Sequence, residues 1–187
     1  MKHLFEAAQE LQEFCLGNNW KFCFIGGLAV QCWAEPRITQ DVDLTILTGI
    51  RDEEKFVSAL LSKYQPRIND ALEFALTNRV LLLKTPNNIG IDISLAALPY
   101  EEKLISRASY QSFINNIQLL LCSPEDLIVM KIFAERPKDL IDAENVMIRQ
   151  GKKLDVEYIR EQLTDLAELK EEPELLNIFN KLLKEYL

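Results

Sequence analysis

The chain is poor in residues on which several kinds of chemistry depend. It holds one histidine, His3, among 187 residues. His3 is expected to be solvent-exposed near the N-terminus, so neither a His-dependent triad nor a His-rich metal site is expected. Its four cysteines, Cys15, Cys23, Cys32 and Cys122, show no CxxC spacing. They read as free thiols of a reducing compartment, partly in apolar surroundings, rather than as zinc ligands or disulfides. No apolar run approaches the roughly 18 residues that a membrane helix needs, and no basic, apolar leader stands at the start. A soluble, cytoplasmic protein without a membrane partner is therefore expected. Positive charge is also scarce: 21 Lys and Arg stand against 29 Asp and Glu, a net charge of -8. That argues against a broadly basic nucleic-acid surface, while a local basic groove stays compatible with it.

What is present is ordinary globular composition, 48% hydrophobic and 27% charged, enough for one sizeable core with a helical extension. The stretch that organises the rest is FCFIGGLAVQCWAEPRITQDVDLTIL, residues 22–47. It reads as strand, tight turn, helix, loop, strand. Gly26 and Gly27 let backbone approach a ligand closely, and the following helix presents its unpaired amides to an anion, phosphate being the obvious candidate. In the second strand, alternation puts Val42 and Leu44 on one face and Asp41 and Asp43 on the other. Two such carboxylates are hard oxygen ligands that repel each other unless a cation intervenes, and Mg2+ commonly joins carboxylates to substrate phosphates. A phosphate cradle beside such a pair implies phosphoryl or nucleotidyl transfer.

Taken together, Gly26-Gly27 followed by Arg37-x-Thr39-x-Asp41-Val42-Asp43 resembles the signature of the polymerase-beta-type nucleotidyltransferase superfamily. The Arg-x-Thr-x-Asp-hydrophobic-Asp form is similar to the AbiEii-like nucleotidyltransferases, many of them toxins of toxin-antitoxin pairs, and to related bacterial nucleotidyltransferases. The resemblance implies an α+β fold: a nucleotidyltransferase-type mixed β-sheet flanked by helices, with a helical C-terminal part. It also implies Mg2+ or Mn2+ as cofactor. Many members carry a serine after the first glycine; Gly27 departs from that and leaves phosphate contact to backbone amides.

Along the chain, apolar spacing predicts a helix over 4–17, a strand over 20–25, the Gly-Gly turn and a short helix, a strand over 42–47 and a helix from about Asp52 to Tyr64. Residues 70–76 read as a short helix or part of an irregular strand. Residues 79–84 and 89–95 form a predicted hairpin around Thr85-Pro86-Asn87-Asn88. In its second arm Asp92 stands opposite the apolar Ile91, Ile93 and Leu95. A carboxylate in such a strand is costly without a partner, and a metal or base role explains it; the resemblance makes Asp92 the third acid of the site. A helix over 100–108, a final strand over 117–122 and helices over 123–135, 136–150, 155–169 and 174–186 follow. The expected domains are a catalytic core, 1–122, and a helical subdomain, 123–187.

The second half carries its own likeness to the AbiEii-like pattern. A helix lysine, Lys131, is followed by Arg136, Lys138-Asp139 and Asp142. Lys131 would hold the triphosphate, and Arg136 or Lys138 would meet pyrophosphate or a substrate. Asp139 and Asp142, on one helix face, would orient Lys131 or contact the nucleobase or sugar. The plainer readings are that Lys131 caps an amphipathic surface and that Asp139 favours the start of its own helix. Arg37 and Thr39 would steer the triphosphate or order the loop. With Asp41, Asp43 and Asp92 as catalytic and metal-binding residues, the expected reaction is a two-metal in-line transfer from an NTP substrate to an acceptor hydroxyl. The acceptor is a tRNA 3' end, a protein hydroxyl or a small molecule, and a cognate antitoxin is a further partner that the likeness implies. The rivals are a catalytically silent nucleotide- or partner-binding module, against which the three acids argue, and a scaffold acting through its acidic helices.

Overall fold

A computed structural model of the chain describes residues 2–186. It is a mixed α+β structure with a seven-stranded mixed sheet and, among the described residues, nine α-helices. The chain divides into two compact units. One comprises Met1–Leu28 and Ile38–Cys122, the other Ala29–Arg37 and Ser123–Leu187.

The first unit is built on the sheet. In chain order come α1 (Lys2–Gly17), β1 (Phe22–Phe24), the start of α2 (Gly26–Trp33), β2 (Asp41–Leu47), α3 (Glu53–Lys63), β3 (Gln65–Pro66) and α4 (Ala71–Asn78). They are followed by β4 (Val80–Lys84), β5 (Gly90–Ala96), α5 (Pro99–Ser106), β6 (Ser109–Ser112) and β7 (Gln118–Leu121). The strand order is β3-β4-β5-β2-β1-β7-β6. Strands β2 and β5 run parallel, as do β1 and β7; the other neighbours are antiparallel.

Register turns the alternation of single strands into one apolar layer. Val42, Leu44 and Ile46 stand beside Ile91, Ile93 and Leu95, with Leu83 and Leu81 beyond, all at most 1% exposed. Burying each such side chain contributes roughly 1.5–3 kcal/mol. Helix α1 packs on β2 and β7. Its buried Gln12 clips β7 by donating from Nε2 to the Gln118 carbonyl (2.7 Å) and accepting from the Leu120 amide (2.9 Å). The four cysteines are free thiols. Burial pushes Cys15 up to about 12 and Cys32 up to about 11, so both stay protonated at neutral pH.

The hairpin β4–β5 forms as its pattern predicts, and residues 71–78 settle the open choice as a helix. Two strands escape the pattern. β3 has two residues, and β6 (SYQS) is polar and mostly exposed at the sheet edge, so neither shows a buried face to read. β1 is shorter than expected, beginning at Phe22.

The second unit is helical: α6 (Pro124–Ala134), α7 (Pro137–Gln150), α8 (Val156–Lys170) and α9 (Glu174–Tyr186). Ser123 caps α6, its hydroxyl accepting from the Asp126 amide at 3.1 Å with Pro124 at the first helical position. Asp155 caps α8 by accepting from the Tyr158 amide at 3.0 Å. The fully buried Asp126 accepts from the Ser123 hydroxyl (2.6 Å) and the Tyr158 hydroxyl (2.7 Å), joining the starts of both helices. Residues 29–37 belong here because α7 holds them. Arg149 donates to the Ala34 carbonyl (2.9 Å) and Gln150 to the Trp33 carbonyl (2.7 Å), satisfying acceptors that the end of α2 leaves open. Among the described residues no helix is long and apolar enough to cross a membrane.

Candidate active site

In the first unit the Gly-Gly turn and the carboxylates form one construction. The Ile25 amide donates to the Asp43 carbonyl at 3.0 Å, and the Gly27 amide donates to Asp43 Oδ2 at 3.1 Å. The turn is thus tied to both the backbone and the side chain of β2. Gly26 has φ +56°, and a Cβ there would collide with the Asp43 carboxylate. Only glycine meets both conditions without strain. Gly27 is required by space: its missing Cβ position is taken by the Thr39 hydroxyl. Thr39 in turn donates weakly to the Asp41 carbonyl at 3.4 Å. The position at which this chain departs from its likeness is therefore filled from the loop that leads into β2.

The parallel pairing of β2 and β5 brings the third acid in. Asp43 is the direct register partner of Asp92, and Asp41 the partner of Gly90. All three carboxylates lie on the face opposite the apolar layer. Gly90 leaves room for Asp41 Oδ1, which crowds its Cα. Asp92 is bonded to the guanidinium of Arg67, Nη2 donating to Oδ1. Burial raises the Asp92 carboxyl above its usual value; Arg67 opposes that rise and Asp41 adds to it.

These residues fit a hard divalent cation in donor type and in placement on one face. Among the described residues, no three His, Cys, Asp or Glu side chains are grouped so that they could together hold a metal ion. Arg67 lies against Asp92 instead. Sequence reading missed Arg67, which follows the two-residue β3 in a stretch without periodic pattern.

The other expected site residues gather in the second unit. Lys131 is buried and ion-paired with Asp139 Oδ1 (2.5 Å) and Asp142 Oδ2 (2.9 Å). Arg37 meets Asp142 with two bonds, Nε to Oδ1 and Nη2 to Oδ2, both 2.7 Å. Arg136 pairs with Asp139 through Nε. Burial pushes both carboxyls up. Hydrogen bonds from Lys131 and Arg136 to Asp139, and from Arg37 and Lys131 to Asp142, outweigh it and hold both below the usual value. Beside this network Val30, Glu35, Pro36, Arg37, Lys138, Ile141, Asp142 and Asn145 line a cleft of about 490 Å³.

Thus Gly26, Gly27, Thr39, Asp41, Asp43 and Asp92 come together in the first unit. Arg37, Lys131, Arg136, Asp139 and Asp142 come together in the second. The pairing of Arg37 with Asp142 was not readable, because its two halves lie 105 residues apart.

The mixed α+β architecture that carries the Gly-Gly turn and the paired acids is shared with solved structures of nucleotidyltransferases and nucleotidyltransferase-like proteins. Solved structures with that fold are similar to this chain. One is an antigenic nucleotidyltransferase-like protein from Paracoccidioides brasiliensis, with TM-score 0.51 and 17% identity over 96% of this chain and 93% of that one. Another is the antibiotic-resistance factor ANT(2'')-Ia, with TM-score 0.55 and 12% identity over 90% of each chain. A third is the lincosamide antibiotic adenylyltransferase LnuA in its lincomycin-bound form, with TM-score 0.51 and 12% identity over 73% of this chain and 92% of that one. The chain itself belongs to the family described as nucleotidyltransferase of unknown function (DUF6036), which it matches over residues 2–186. No curated protein is similar enough in sequence to match it.

Proposed function

We propose that the protein is a Mg2+-dependent nucleotidyltransferase that moves an NMP from an NTP to an acceptor hydroxyl. One observation carries this reading: the turn amide of Gly27 bonds to Asp43, which stands in register with Asp92. A backbone cradle suited to phosphate and a set of hard oxygen ligands are thereby tied together in one unit. Asp41, Asp43 and Asp92 would hold the cation, which when bound neutralises charge on the phosphates and lowers the pKa of the attacking hydroxyl.

In the transfer, the acceptor oxygen attacks the α-phosphorus. The bond from that phosphorus to the bridging oxygen of the leaving pyrophosphate breaks. Asp92 would take the hydroxyl proton. The start of α2 would bind phosphate oxygen through amides other than that of Gly27, which Asp43 takes.

The net charge of -8 favours a small acceptor over tRNA, whose backbone is bound chiefly by Lys and Arg. An adenylyltransferase that acts on an antibiotic shares the fold, which supports a small-molecule acceptor. The narrower AbiEii-like reading makes the chain a toxin with a cognate antitoxin, and it rests on Arg37-x-Thr39-x-Asp41-Val42-Asp43 together with Lys131 to Asp142.

The deciding experiment is pyrophosphate release from each NTP with Mg2+. Total tRNA, cellular protein and small-molecule pools would be offered separately to wild type and Asp43→Asn. Release that needs one pool and disappears in the variant supports transfer and names the acceptor class. Absence of release with every pool, from folded protein that still binds NTP, favours the silent module. Growth arrest on expression, relieved by Asp43→Asn, would separate the toxin reading from a small-molecule enzyme.

A further inference from the structure

Arg67 follows directly on β3, and its backbone amide donates to the Leu82 carbonyl at 3.0 Å. Leu82 is the register partner of Asp92 on β4. The sheet itself therefore delivers Arg67 beside Asp92. Its Nη2 bonds Asp92 Oδ1, while its Nη1 reaches toward Gly90, where an added Cβ would stand 3.2 Å from it and would run into Asp41 Oδ1. The guanidinium and the Asp41 carboxylate thus crowd the same glycine, and the cation lies along the acidic face.

We propose that Arg67 is a built-in counterion of the acidic face: it holds Asp92 while no divalent cation is bound and must release it when one binds, thereby setting the cation affinity of the site. This rests on the reading that Asp41, Asp43 and Asp92 hold a cation. A bound guanidinium occupies an oxygen that a hard cation would ligate, and its own charge repels the incoming ion. Its side chain is 30% exposed and that of Asp92 36% exposed, so the pair can part into water without leaving a fully desolvated charge behind.

The test is calorimetric titration of Mn2+, without NTP, into wild type, Arg67→Gln, Arg67→Lys, Asp92→Asn and the Arg67→Gln/Asp92→Asn double variant. Arg67→Gln should bind Mn2+ roughly two- to five-fold more tightly, the range expected for loss of a part-exposed pair. Arg67→Lys should stay near wild type because it keeps the charge. Asp92→Asn should weaken binding and abolish the gain from Arg67→Gln. Thermal melts give a second readout that needs no activity: the Mn2+-induced rise in Tm should be larger in Arg67→Gln than in wild type.

Unchanged or weaker binding in Arg67→Gln overturns the counterion role, and leaves the cation reading standing if wild type binds and Asp92→Asn weakens it. A gain that persists in the double variant also overturns it, since the effect would then not run through Asp92. Failure of every folded variant, wild type included, to bind Mn2+ overturns both readings together.

Discussion

Asp92 and Asp142 each meet an arginine, yet the two pairs are built to opposite ends. Asp142 is clamped by Arg37 through two bonds, shares Lys131 with Asp139 and has a side chain 3% exposed. Asp92 meets Arg67 through Nη2 and keeps a side chain 36% exposed. The electrostatic outcome follows. Asp142 and Asp139 are held below the usual carboxyl value, whereas Asp92 is raised above it. The cluster in the second unit is electrostatically satisfied by its own cations. The Asp92 carboxyl in the first unit is not held down in that way, because burial outweighs its bond to Arg67.

The largest effect should come from the acids of the first unit. Asp43→Asn keeps the shape of the turn but removes a charge, and should lower turnover about 10³-fold or more while shifting stability little. Steady-state pyrophosphate release beside a urea melt checks this; a large stability loss would instead place Asp43 with the structural acids. Lys131→Met should act on stability. It leaves Asp139 and Asp142 buried with less compensation and should cost about 3–5 kcal/mol of stability by urea unfolding.

Gly26→Ala should then cost about 1–2 kcal/mol through its left-handed backbone and displace Asp43, so that the loss in turnover exceeds what the stability change explains. The smallest effect is in acid. Because Asp139 and Asp142 have folded pKa values below the usual 3.8, their stabilisation is complete above that value and is lost as pH falls through the depressed folded values. Asp92, being raised, contributes in the opposite sense. Urea unfolding between about pH 5 and 2 should show a shallower loss of stability in Asp139→Asn than in wild type.

How much of this was legible follows from the range of the interactions. Asp41, Asp43 and Asp92 could be placed on strand faces from sequence because alternation is a local property, and the Gly-Gly turn announces close approach by its composition. The register that sets Asp43 opposite Asp92 is a pairing between strands, and no single strand encodes it. Arg67 was hidden because it stands in a stretch with neither helical nor strand period. Lys131, Asp139 and Asp142 were visible as a motif. Their mutual burial was not, since a helix sequence records spacing but not which charges become one another's partners. The edge strand β6 was missed because an exposed polar strand has no hydrophobic signal to read.

The hold of Arg149, Gln150 and Asp142 on residues 29–37 has a consequence in time. That segment leaves the ribosome between β1 and β2, well before Ser123 and the helices that anchor it. At ordinary translation rates the wait is on the order of ten seconds. During synthesis the link between the two strands that frame the Gly-Gly turn therefore lacks the partners that later fix it. A protease pulse during translation should cut this link in nascent chains that stop before α7 and spare it once α7 has emerged.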